Sequence, residues 1–114
     1  MLEILCVALA VYFESRGEPL EGQYAVASVV WNRRNDPRWP NHTCEVVSEE
    51  GQFESWPLIY AHLEMQPENP AMRTALAAAS FTASEPTSGA FFFATPGLHN
   101  YEYLETIGNH EFFR

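Results

Sequence analysis

The densest group of polar residues able to do chemistry is the run Glu14-Ser15-Arg16-Gly17-Glu18. Glu14 directly follows an apolar stretch and falls in the last turn of a predicted helix. The negative end of the helix dipole and the apolar neighbours both disfavour the ionised form of its carboxyl group. A carboxyl group that stays protonated near neutral pH is what a general acid requires. The pattern makes Glu14 a candidate general acid, with a plain capping or salt-bridged glutamate as the alternative.

Glu18 is a second carboxylate only four residues further on. It lies near the start of the next predicted helix, where the dipole favours negative charge, so its carboxyl group should be the more acidic of the two. Two carboxyl groups in unlike environments are typical of glycosidases. The alternative is a glutamate that only stabilises the start of its own helix.

The elements that would position these residues follow from the spacing of apolar residues and turn formers. Helices are predicted over 2–15, 19–33 and 71–83, a loop over 35–42, a short helix over 58–65, and strands over 90–95 and 111–114. Thr43 is a candidate cap for a single helical turn, and Asn69-Pro70 marks the start of the third long helix. Helices first and strands last predict one α+β domain over 1–114, with a helical core and a short antiparallel sheet from the C-terminal part.

Composition and charge exclude several classes of partner. The chain has 114 residues, 46% of them hydrophobic, and its 15 acidic and six basic residues give a net charge of -9. A negative chain gains no counterion release on nucleic acid and is repelled by anionic membrane surfaces. His, Cys, Asp and Glu show no metal-ligand spacing. We therefore expect a monomer with no metal, no cofactor, no nucleic-acid partner and no membrane insertion.

The two cysteines, Cys6 and Cys44, allow at most one intramolecular disulfide and match no zinc motif. The apolar run from Leu2 to Phe13 carries Glu3 where a signal peptide has basic residues. The sequence therefore predicts a soluble protein without its own export signal, made in a reducing cytoplasm. Two buried free thiols are the favoured interpretation, and pairing stays open.

The run from Glu14 to Glu18 is part of a longer sequence motif. The run from Tyr12 to Pro19 continues through Glu21-Gly22-Gln23, Ala25-Val26-Ala27, Val29-Val30 and Asn32-Arg33. It resembles the opening motif of the cell-wall hydrolase family that includes the spore cortex-lytic enzymes (SleB/CwlJ type). Later segments follow in the family's order: Pro40, Cys44, Val46-Val47, Gly51-Gln52-Phe53, Ser55-Trp56, Pro86-Thr87, Gly89-Ala90, Phe93, Pro96, Ile107-Gly108, His110 and Phe112-Phe113-Arg114.

The resemblance implies a lysozyme-like enzyme that cuts peptidoglycan between N-acetylmuramic acid and N-acetylglucosamine, with Glu14 as its catalytic acid and no cofactor. In a lytic transglycosylase one carboxyl group suffices and the product carries a 1,6-anhydro end. In a muramidase water attacks instead, and Glu18 gains importance. Ala94-Thr95 stand where the family often has a polar pair, which puts the details of substrate recognition in doubt.

Further side chains are candidates for binding the sugar. An amide suits acetamido groups and an aromatic face suits a pyranose ring, so we expect substrate contacts from Glu18, Gln52, Phe53, Ser55, Trp56, Phe93 and His110. Core packing is the alternative for the aromatic residues, and a hydrogen-bonded structural role is the alternative for His110.

These observations predict an enzyme that acts on the cell wall. Its small frame favours a phage endolysin that reaches the wall through a membrane hole, with a bacterial remodelling or germination enzyme as the other origin. The alternative from a different class is a non-catalytic peptidoglycan- or carbohydrate-binding module that keeps the cleft without the chemistry.

Overall fold

The computed structural model describes residues 2–49, 69–80, 85–95 and 100–114. Within these ranges the chain forms helices α1 (Leu2–Ser15), α2 (Leu20–Arg34), α3 (Thr43–Ser48) and α4 (Pro70–Ser80), followed by strands β1 (Phe92–Ala94), β2 (Tyr103–Ile107) and β3 (His110–Phe113). The helices predicted over 2–15 and 19–33 are confirmed to within a residue. The helix predicted over 71–83 is confirmed up to Ser80, and the one predicted over 58–65 lies outside the described residues.

Helix α1 is the central element of the core. Residues 6–12 are all buried. Seven consecutive helical residues cover every side of a helix that makes a turn each 3.6 residues, so α1 has neighbours all round. Helices α2, α3 and α4 pack around it. Its continuous apolar composition is explained by this central position.

The helix starts show which capping signals hold. The Asn69 side chain accepts hydrogen bonds from the backbone N–H groups of Ala71 and Met72, as the Asn-Pro pair predicts. The cap predicted at Thr43 is wrong, because His42 precedes α3 and its Nδ1 accepts from the Cys44 N–H at 3.2 Å. The Thr43 hydroxyl instead donates to the backbone carbonyl of Glu3 at 2.7 Å and ties α3 to α1.

The sheet is antiparallel, with strand order β1-β3-β2. The predicted strands over 90–95 and 111–114 are confirmed as β1 and β3 with shifted ends. Strand β2 was not predicted. Its register shifts between Tyr103 and Glu105, which places an extra residue in the strand and breaks the alternation by which strands are recognised. The order of helices and strands confirms the α+β prediction.

The sheet packs against the helical part of the molecule. Phe93, Ile107 and Phe112 belong to or pack against the helical core. Polar contacts fasten β1 to the end of α2: the Asn32 amide donates to the Ala90 carbonyl at 3.0 Å, and Arg33 Nε donates to the carbonyl of the next residue at 2.7 Å. The sheet is thus held against α2.

A disulfide joins Cys6 of α1 to Cys44 of α3. The prediction of two free buried thiols is therefore wrong. The two Cα atoms lie 5.1 Å apart, within the range that a disulfide spans. Nothing in a sequence with two cysteines fixes that distance; the packing of α3 against the start of α1 does. A structural disulfide is typical of an oxidising environment, such as the cell wall on which the protein is predicted to act.

Candidate active site

Glu14 is the penultimate residue of α1 and its side chain is half-buried. Residues next to it in the chain carry aromatic and cationic groups. Tyr12 is 3% exposed, and its hydroxyl accepts a hydrogen bond from the Asn69 amide at 3.2 Å. The guanidinium of Arg16 lies over the Tyr12 ring, 4.8 Å from its centre. A titratable carboxyl group thus lies where a buried helix emerges, partly removed from solvent.

Glu18 holds the β2–β3 turn against the start of α2. One carboxylate oxygen accepts from the backbone N–H of Asn109 at 2.7 Å and the other from its side-chain amide at 2.9 Å. The backbone hydrogen bond is the main reason why the pKa of Glu18 lies below its ordinary value. Sequence reasoning attributed this acidity to the helix dipole, whereas the larger cause is a residue 91 positions away.

Gly108 allows this close approach. It has a φ of +61°, which favours glycine, and it begins the two-residue turn between β2 and β3. A Cβ atom at this position would collide with the Glu18 carboxylate and lie 3.1 Å from Pro19. The contact between the turn and the helix connection therefore depends on a residue without a side chain.

His110 and Phe93 lie together beside the same turn. Their ring centres are 5.2 Å apart, with the rings nearly perpendicular. Burial lowers the pKa of His110, and the negative charge of Glu18 opposes that shift. The Nδ1 atom of His110 is buried and has no hydrogen-bond partner among the described residues. The structure thus places His110, Phe93 and Glu18 at one end of the molecule.

Gln23 is a polar residue at this end that sequence reasoning missed. It is 5% exposed on α2, and its Nε2 donates to the backbone carbonyl of Glu18 at 3.2 Å. Its Oε1 is buried without a hydrogen-bond partner in the described part of the chain. Because buried polar atoms normally find a partner, Gln23 Oε1 is a candidate acceptor for a water molecule or a bound group. The signal in the sequence was an uncharged amide between apolar helical positions.

The predicted site residues divide into two groups. The four-residue connection between α1 and α2 brings Glu14 and Glu18 to the same end of the helices, where the turn carrying Asn109 and His110 is also fastened. The predicted binding residues Gln52, Phe53, Ser55 and Trp56 lie outside the described residues.

Within the described ranges, His, Cys, Asp and Glu side chains form no group of three placed to hold a metal, and none of the helices is both long and apolar enough to cross a bilayer.

A helical core with a small antiparallel sheet at its side defines an α+β, lysozyme-like fold. This class is confirmed by two solved structures, the catalytic domain of the Bacillus cereus SleB protein and the catalytic domain of the germination-specific lytic transglycosylase SleB from Bacillus anthracis. Each has a TM-score of 0.76, is 30% identical and covers 98% of this chain, which in turn covers 89% and 93% of those chains. A family model described as Cell Wall Hydrolase matches residues 17–113, and the chain belongs to that family.

Full-length relatives agree with this assignment. The spore cortex-lytic enzymes of Bacillus subtilis (strain 168) and Halalkalibacterium halodurans are each 33% identical over 116 residues, which cover 96% of this chain. The match covers 37% and 34% of those relatives. The chain therefore spans about a third of their length. The family model begins at Gly17, three residues after Glu14, so the match to the model does not include Glu14. The longer matches to the relatives do include it.

Proposed function

We propose that this protein cleaves the glycan strand of peptidoglycan between N-acetylmuramic acid and N-acetylglucosamine, with Glu14 as general acid and then general base. The observation that carries the proposal is the half-buried Glu14 carboxyl group at the end of the core helix α1, at the end of the molecule where the β2–β3 turn is fastened. Similarity over 96% of the chain to enzymes named as spore cortex-lytic supports the substrate class.

The chemistry needs a single carboxyl group. Glu14 donates its proton to the glycosidic oxygen as the bond from that oxygen to C1 of N-acetylmuramic acid breaks. The resulting carboxylate then accepts the proton of the sugar's own 6-hydroxyl as that oxygen bonds to C1. The products are a free 4-hydroxyl on N-acetylglucosamine and a 1,6-anhydro end, and Glu14 is protonated again.

The contacts of Glu18 favour this scheme over one with two catalytic carboxylates. Both of its oxygens already accept hydrogen bonds from Asn109. To activate a water or to stabilise a sugar cation, Glu18 would have to give up at least one of them. The name of the Bacillus anthracis neighbour, a lytic transglycosylase, supports the same choice. We retain Glu18, together with Phe93, His110 and the four predicted residues between 52 and 56, as proposed substrate-binding residues.

The biological setting is a second part of the proposal. The names of the relatives favour spore cortex peptidoglycan as the substrate, whereas the phage endolysin role predicted from the sequence concerns the wall of a growing cell. The two settings differ in an accessible measurement, the rate of release of fragments from purified cortex against purified vegetative sacculi. Faster cleavage of cortex would support the germination role, and faster cleavage of vegetative sacculi would support lysis.

The test of the chemistry is mass spectrometry of the fragments released from purified sacculi. A transglycosylase gives products lighter by one water molecule than the corresponding hydrolytic products, so we expect anhydro ends. Hydrolytic masses would instead indicate a muramidase. Binding of sacculi without any released fragment would overturn the proposal and favour the non-catalytic binding module.

A further inference from the structure

The sheet face opposite to Phe93 and Phe112 carries a row of aromatic side chains. Phe92 of β1, Phe113 of β3 and Tyr103 of β2 are register partners across the strands. Tyr101 extends the row, because its ring stacks on Phe92 with centres 4.0 Å apart and planes 13° apart. We call Phe92, Phe113, Tyr103 and Tyr101 the outer aromatic row. None of them belongs to the core cluster, in which their neighbour Phe112 is fully buried.

The two tyrosines are the solvent-facing part of this row. Tyr101 is 52% exposed and Tyr103 is 54% exposed, whereas Phe113 beneath them is 3% exposed. The Tyr103 hydroxyl shares a hydrogen bond with the Thr106 hydroxyl at 2.7 Å, which fixes the orientation of its ring. Rings that are already held by stacking and hydrogen bonds lose little rotamer entropy when a ligand binds.

The size of the row suits a narrow, flat ligand. Strands in a sheet lie about 4.8 Å apart, so the row spans about 10 Å from β1 to β2, roughly the length of a disaccharide. Two half-exposed tyrosines offer on the order of 200 Å² of surface. A stable protein interface buries about 800 Å² on each partner. A second copy of the chain or another folded protein would therefore gain too little area here.

The charge beside the row favours an uncharged ligand. The Arg33 guanidinium lies 5.3 Å from the Phe92 ring centre, and Arg38 lies over the Trp39 ring at 4.6 Å. Asp36 forms an ion pair with Arg38, and the negative charge of Glu49 acts on Arg33. Glu102 and Arg114 pair through their backbones beside the tyrosines and add one charge of each sign. The charges near this edge are thus balanced, in contrast to the chain as a whole, with its net charge of -9. Sugar rings, which present C–H groups to aromatic faces, fit a balanced aromatic surface better than a nucleic acid does.

We propose that the outer aromatic row is a second saccharide-binding surface, which holds the glycan strand away from the Glu14 end of the molecule. It lies on the opposite sheet face from Phe93 and Phe112. This inference rests on the proposed function, since it takes peptidoglycan as the polymer. Its role is retention on an insoluble substrate, because a surface remote from the reacting bond can raise the time spent on the polymer without changing the chemical step.

The test compares binding and cleavage in matched variants. Glu14→Gln serves as the parent for co-sedimentation with purified sacculi, so that the polymer is not consumed. We expect Tyr101→Ala/Tyr103→Ala in this background to bind about a hundredfold more weakly, since aromatic stacking contributes about tenfold per ring. Tyr101→Phe/Tyr103→Phe keeps both rings and should retain binding. Leu2→Ala removes a side chain that is 60% exposed elsewhere, and we expect it to bind as the parent does.

Cleavage separates retention from a structural effect. With active protein, the double alanine variant should lose more activity on insoluble sacculi than on a soluble tetrasaccharide fragment. Equal losses on both substrates, unaltered sedimentation of the double alanine variant, or an equal loss in Leu2→Ala would each overturn the inference. Failure of the proposed function has a different signature, since wild-type protein would then release no fragments from sacculi whatever the sedimentation shows.

Discussion

The two ends of helix α1 are held in different ways. At the amino end the Cys6–Cys44 disulfide joins α1 to α3 covalently. Glu3 adds an ion pair with Arg34 at 3.1 Å and accepts the Thr43 backbone N–H at 3.0 Å. At the carboxyl end, which carries Glu14, we find hydrogen bonds among the described residues, from Asn69 to the Tyr12 hydroxyl and from Asn109 to Glu18.

This difference indicates that the covalent stabilisation of α1 lies apart from the candidate acid. Regions that bind and release a substrate are usually drawn from the less stable parts of a fold, because they must adjust to it. The Cys6–Cys44 disulfide stabilises the amino end of α1 and does not restrict the carboxyl end, which carries the candidate acid. Replacing Glu14 should therefore lower activity with little change in the free energy of unfolding, whereas removing the disulfide should lower the free energy of unfolding with little change in activity.

The largest expected effect is on activity at the carboxyl end. Glu14→Gln removes the proton that the proposed mechanism transfers, so fragment release should fall by about 10²- to 10⁴-fold. The free energy of unfolding should change by less than about 0.5 kcal/mol, because amide and carboxyl groups have nearly the same shape. Dye release from sacculi and chemical denaturation measure the two. Glu21→Gln, at an exposed glutamate of α2, is the control that should retain both properties.

The largest expected effect on stability lies at the amino end. Cys6→Ser/Cys44→Ser removes a cross-link between positions 38 residues apart, which should cost about 4 kcal/mol of unfolding free energy. Cleavage per folded molecule should change by less than about twofold, because eight residues of helix, about 12 Å, separate Cys6 from Glu14. Denaturation curves and initial rates at low temperature measure these effects. Loss of activity in protein that is still folded would contradict the separation of the two ends.

A smaller effect on stability is expected at the turn that contacts Glu18. Gly108→Ala places a Cβ atom against the Glu18 carboxylate at a positive φ, so it should cost about 2 kcal/mol. Gly17→Ala is the matched control, since a Cβ there meets nothing within 4 Å. Thermal unfolding of the two variants measures the difference. Equal melting temperatures would show that the turn is not held as the structure describes.

The smallest effect is the pH dependence of the Glu18 contact. Asn109 lowers the pKa of Glu18, so its stabilisation is fully present above the ordinary value of 4.5 and is lost as the pH falls through the lowered pKa. Glu18→Gln should therefore cost about 1 kcal/mol at pH 7, and the difference from wild type should shrink below pH 4.5. Urea denaturation across that range measures it, and a constant difference would contradict it.

The same substitution has a second readout. The negative charge of Glu18 opposes the lowering of the His110 pKa by burial. Glu18→Gln should consequently move the His110 pKa further down, which NMR titration of the imidazole can follow. An unchanged His110 titration would show that the two side chains are not coupled across the turn.

Local signals in the sequence predicted the helices well. Helix α1 was predictable because its apolar residues leave no polar face, and α4 because Asn69-Pro70 has a local capping pattern. Strand β2 was not predictable, since its bulge removes the alternation on which the inference depends. The Cys6–Cys44 pairing was missed because 38 residues separate the two cysteines and their distance is set by helix packing.

The candidate site also has features that follow from neighbouring residues and features that depend on distant contacts. The order of residues along the chain made Glu14 the candidate acid, because its place at the end of an apolar helix and the family motif around it both involve neighbouring residues. The partner of Glu18 depends on tertiary packing, since Asn109 is 91 residues away and reaches Glu18 through the turn of an unpredicted hairpin. The tertiary structure likewise leaves Gln23 and His110 each with a buried polar atom that has no hydrogen-bond partner in the described part of the chain. Helix propensity and capping act over a few residues, whereas burial and hydrogen bonding depend on which distant segments meet.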